Sequence, residues 1–163
     1  MNRPVTHTDV VDMGRVLLAF ALSFAIGFER ELRGSAAGDR TYALVGTGAA
    51  AITAVTLRLS PQAVAGAVTG VGFIGAGLVF RQDGRDIRGI TSAACIFAVA
   101  GLGVVAGGGH WLLAVLVALL ILVDLEVRNL PILNRLDARR YTGDVRDDMA
   151  PPMGMSSPGD DPG

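Results

Sequence analysis

Apolar residues in this chain come in long blocks, not in the periodic stripes of a soluble fold, and the charges lie between the blocks. From Gly89 to Val123, 35 consecutive residues carry no Asp, Glu, Lys or Arg. A helix crosses a bilayer with about 20 residues, so this run is too long for one crossing and long enough for two. Near its middle, Gly107-Gly108-Gly109-His110 is poorly helical and suits a tight hairpin. The pattern predicts an all-α membrane protein whose five helices span residues 8–28, 41–57, 61–80, 90–106 and 111–127.

Punctuation agrees with these cuts. Ser60-Pro61 reads as an N-cap followed by proline at the first helical position. Asp83-Gly84 is a turn signal in the third loop, and Pro131 ends or kinks the last helix. The five spans form one domain over residues 8–128. Residues 129–163 are rich in Pro, Gly, Asp and Ser, cannot bury a core, and are expected to be a disordered cytoplasmic tail. A signal peptide is the rival reading of the first block, since residues 16–28 have the length of an apolar leader core. The leader mixes Arg3 with Asp9 and Asp12, however, and so lacks a clearly positive start.

Composition adds orientation. The chain has 163 residues, 51% hydrophobic and 18% charged, with a net charge of -1. That balance implies neither nucleic acid nor an acidic substrate. All 14 basic residues are Arg, which reads as codon bias more than as function. Eleven of them fall in the first loop, the third loop and the C-terminal segment, leaving Arg3, Arg15 and Arg58 on the other side. Positive-inside bias then places the N-terminus outside and the C-terminus in the cytoplasm. The lone Cys95 lies in an apolar block, cannot form an intrachain disulfide, and reads as a packing residue.

Small residues carry helix association in lipid, where apolar burial gains little. The glycines Gly66, Gly70, Gly72, Gly75 and Gly77 are therefore read as a packing motif on the third span, with a second pair at Gly103 and Gly107. On this reading the third and fourth helices are central and the fifth faces lipid. Gly70, Gly72 and Gly75 match a dinucleotide fingerprint by letter, but no strand precedes them, and helix packing is the better account.

The candidate polar site is Glu29, Arg30, Glu31, Asp39, Arg40, Thr41 and Thr91. Glu29 and Glu31 fall at a helix C-terminus, where the dipole disfavours anions, so they need partners such as Arg33, Arg40 or Arg88. One reading is an interfacial salt-bridge network; the other is a cytoplasm-facing cation, ligand or partner site. Asp39 suits a cap on the second helix. Thr91 and Ser92 either bond back to their own helix or line a cleft with Thr41 and Thr69. No nucleophile–base pair, metal cluster or phosphate loop stands out, so neither an enzyme nor a cofactor is expected.

Four segments in this order resemble the MgtC/SapB family of bacterial inner-membrane proteins. They are Gly27-Phe28-Glu29-Arg30-Glu31, Ala37-Gly38-Asp39-Arg40-Thr41, Thr69 through Gly77, and Gly89-Ile90-Thr91-Ser92-Ala93-Ala94. The resemblance implies a five-helix domain in the bacterial inner membrane and a regulatory role in magnesium or cation homeostasis, or in membrane energetics. It also implies contact with a membrane partner such as the F-type ATP synthase, or self-association; a small oligomeric cation channel or transporter is the alternative. Three departures stand out: Asp39 replaces a usual apolar residue, Ser60-Pro61-Gln62-Ala63 lacks the family's acidic and basic entry to the third span, and the segment from Leu130 to Gly163 is too short and proline-rich for the cytoplasmic domain many members carry.

Overall fold

A computed structural model describes residues 6–57, 59–80 and 89–127. All elements among them are helices: α1 (His7–Leu32), α2 (Asp39–Thr56), α3 (Pro61–Phe80), α4 (Ile90–Gly107) and α5 (Trp111–Val127). The expected tail, the Asp83-Gly84 turn and Arg88 lie outside the described residues. The chain divides into a unit ending at Leu125 and a second from Glu126 onward; the packing below is that of the first.

Local chemistry sets the helix ends. Thr6 and Asp9 form a capping box on α1: the Thr6 N–H donates to the Asp9 carboxylate at 2.7 Å, and the Asp9 N–H donates to the Thr6 hydroxyl at 3.3 Å. α1 runs four residues beyond the expected Phe28 and closes in a Schellman motif. Gly34 takes a φ of +64°, its N–H donates to the Glu31 carbonyl (3.0 Å), and Ser35 N–H donates to the Arg30 carbonyl (3.1 Å). The α4–α5 hairpin repeats the device, with Gly109 at φ +89° and His110 N–H donating to the Val105 carbonyl at 3.1 Å. Thr47, Thr53, Thr56 and Thr69 donate their hydroxyls to carbonyls four residues back, which satisfies them without a partner helix. α1, α3 and α4 are long and apolar enough to cross a membrane by length and composition.

α2 and α4 form the centre and run parallel. Tyr42 meets Ser92, Gly46 meets Val99 and Gly103, and Ala50 meets Gly107. α1 lies antiparallel to α2, with Gly27 against Tyr42 and Ser23 against Gly46. The core holds Ile26, Tyr42, Ile96, Val99 and Leu102, and a second cluster of alanines joins Ala19, Ala50, Ala106 and Ala114. α5 meets the bundle through Ala114, Ala118 and Leu125 and turns Leu112, Leu116, Leu119 and Val123 outward.

The glycine seam lies elsewhere than on α3. A Cβ on Gly103 would fall on the Gly46 carbonyl and within 2.9 Å of Ala49 Cβ; one on Gly107 would fall on the Ala50 carbonyl. Gly66, Gly70, Gly72 and Gly77 have nothing within 4 Å of that position, and only Gly75 approaches a neighbour, Ala93, at 3.6 Å. Within this chain α3 is therefore peripheral, and its glycines do not set its packing. The physical reason is register: the α4 glycines face a backbone carbonyl ridge on α2, whereas most α3 glycines face outward.

Candidate functional site

Because α1 and α2 are antiparallel, the end of α1, the loop after it and the start of α2 meet at one end of the bundle, where α4 also begins. Gly27 permits this meeting: a Cβ there would lie 2.7 Å from Asp39 Cα and 2.8 Å from Tyr42 Cβ.

Arg30 organises the cluster. Its Nη2 donates to the Ser35 hydroxyl at 2.9 Å, and the Ser35 and Ser92 hydroxyls share a hydrogen bond of 2.9 Å. The Tyr42 hydroxyl, on a side chain with no exposed surface, donates to the Ser92 carbonyl at 3.4 Å. One polar chain thus ties α1, its following loop, α2 and α4. Such links are stabilising in apolar surroundings because an unpaired polar group there is costly.

Glu29 is less satisfied. Arg33, one turn on, forms an ion pair with it. Arg33 meets Oε1, whereas Glu29 Oε2 and Arg30 Nε are screened from solvent without a hydrogen-bond partner among the described residues. A carboxylate oxygen and a guanidinium nitrogen with spare hydrogen-bonding capacity, on consecutive residues at a helix end, can take a complementary polar group from outside the chain.

The other expected site residues divide. Glu31 lays its carboxylate over Gly38, where any side chain would collide with it. Asp39 does not cap α2: Gly38 is the N-cap, and Asp39 is the first helical residue, accepting from the Arg40 N–H at 2.6 Å. Its charge suits the positive end of the α2 dipole. Thr41 is half-buried, Arg40 is exposed, and Thr91 is exposed on the wall of a separate cleft with α5. Thr69 bonds to its own helix at Ala65, and the cleft at Thr91 is lined by α4 and α5 residues, not by Thr41 or Thr69.

Ser35 and Tyr42 were not legible as site residues. A tyrosine in an apolar span was the available signal, since a buried phenol needs a partner for its hydroxyl. Among the described residues no three His, Cys, Asp or Glu side chains are placed to hold a metal ion.

The MgtC family model matches residues 16–130, which covers all of this geometry. The chain belongs to the MgtC family. Protein MgtC of Salmonella typhimurium strain LT2 is 40% identical over 111 residues, 66% of this chain and 48% of that protein. YhiD of Escherichia coli K12, whose name carries magnesium transport as a proposal, is 38% identical over 126 residues, 69% of this chain and 58% of YhiD. A Haemophilus influenzae protein without a functional name is 33% identical over 132 residues, 72% of this chain and 56% of that protein. The chain thus spans about half the length of the curated relatives it matches. No solved structure gives a significant match.

Proposed function

We propose that this MgtC-family protein is a multi-pass protein of the bacterial inner membrane that regulates cation homeostasis, magnesium above all, or membrane energetics. It acts by contact with another membrane protein and not by catalysis. The single observation carrying this reading is the Glu29–Arg30 pair, whose unsatisfied atoms sit at the bundle end that the arginine distribution assigns to the cytoplasm. The bundle below that pair offers little for an ion: apart from Ser92 and Tyr42, the buried polar side chains among the described residues are Ser23 and Thr53, and Thr53 is bonded to its own helix. The F-type ATP synthase is the partner that the family resemblance brings forward. Affinity capture of the full chain from native membranes, followed by mass spectrometry, tests this: a membrane complex recovered with wild type and lost with Glu29→Ala supports it. Recovery unchanged by that substitution refutes the role given to Glu29.

A second reading is a small oligomeric cation channel or transporter. The proposal carried in the name of YhiD and the spare acceptor capacity of Glu29 favour it. Magnesium flux into proteoliposomes that vanishes in Glu29→Gln would establish it; no flux from wild type removes it.

A further inference from the structure

The hairpin at residues 107–110 makes α4 and α5 antiparallel, so the first turn of α4 and the last turn of α5 share one end. Between them lies a cleft of about 320 Å³, lined by Thr91, Ala94, Ala98, Ile121 and Asp124 among others. Its long walls are apolar, and the Asp124 carboxylate and Thr91 hydroxyl stand at that shared end. Leu120 also borders the cleft while remaining exposed, so the cleft is continuous with the outward leucine face of α5. In a membrane protein that face meets acyl chains.

Asp124 is an acid in the last turn of α5, where the helix dipole is negative. Among the described residues it forms no ion pair or hydrogen bond. An anion in that position, beside an apolar wall, is stabilised by a cation arriving from outside the chain. The cleft is at the small end of the range for small-ligand sites, which is room for a headgroup and the first part of a chain.

We propose that the α4–α5 cleft seats a phospholipid with a primary ammonium headgroup. The ammonium donates to Asp124, and the upper part of an acyl chain lies along Ala94 and Ala98. Charge complementarity selects this occupant from those a bilayer supplies. An anionic headgroup would bring like charge to the carboxylate, and a quaternary ammonium has no N–H to donate.

Native mass spectrometry of the full chain, with phosphatidylethanolamine, phosphatidylcholine and phosphatidylglycerol of identical acyl chains, tests this. The expected result is retention of phosphatidylethanolamine over both others by about fivefold, the reach of one partly exposed charged contact. Asp124→Asn should bring the three to parity. Ala98→Leu, which fills the apolar wall and leaves the charge, should lower retention of all three. Parity in wild type, or a preference that survives Asp124→Asn, overturns the proposal. So does a preference abolished by millimolar Mg2+ at constant ionic strength, which would reassign Asp124 to a divalent cation.

Discussion

Single residues decide how closely the central helices approach. Gly103 and Gly107 stand where the α2 backbone leaves no volume for a side chain. Gly103→Ala should therefore cost about 2 kcal/mol or more, the scale of overpacking a filled interface. Gly72→Ala should be neutral or slightly stabilising, because its Cβ would meet open space and alanine is the better helix former. Thermal midpoints of the two variants in one detergent check this, and equal losses would refute the seam. The hydroxyl of Tyr42 is a second test at this scale. Tyr42→Phe should cost about 1 kcal/mol by leaving the buried Ser92 carbonyl without its side-chain donor. A cost unchanged in a Ser35→Ala background would show that the hydroxyl and the Arg30–Ser35–Ser92 chain act independently.

Elements divide between those that build the bundle and those that clothe it. Half of the residues in the membrane-length stretch of α4 are buried, against 6% of those in α3, which is of similar length and richer in glycine. Single cysteines in a Cys95→Ala background should separate the two. Phe73→Cys on α3, at an 83% exposed position, should react readily with a membrane-permeant maleimide in the solubilised monomer. Leu102→Cys on α4, at a position without exposed surface, should be protected until the protein is unfolded. Similar labelling rates would refute the assignment of α4 to the centre. If the native protein self-associates through α3, Phe73→Cys should become protected in the membrane, where the solubilised monomer is reactive.

At the scale of the molecule, the five helices among the described residues alternate in direction, as the antiparallel α1–α2, α3–α4 and α4–α5 pairs and the parallel α2–α4 pair require. Five crossings with the arginine-rich segments inside would put the chain ends on opposite sides of the membrane. Reporter fusions at Met1 and Gly163 should accordingly give opposite signals, and identical signals would overturn the orientation and the cytoplasmic placement of Glu29 and Arg30.

Element identity was legible because apolar block length and glycine or proline punctuation act locally: the starts at Pro61, Ile90 and Trp111 follow from those signals alone. The family was legible from ordered motifs. The charged half of the site, Glu29 and Arg30, was also visible, since charge beside an apolar block stands out in one dimension. Which glycines touch, and that Ser35, Tyr42 and Ser92 complete the polar chain, depended on helix rotation and on contacts up to 57 residues apart, such as Ser35 with Ser92. A composition rule treats every small residue on a helix alike. Only the three-dimensional arrangement turns Gly103 toward a carbonyl ridge and leaves Gly72 facing outward.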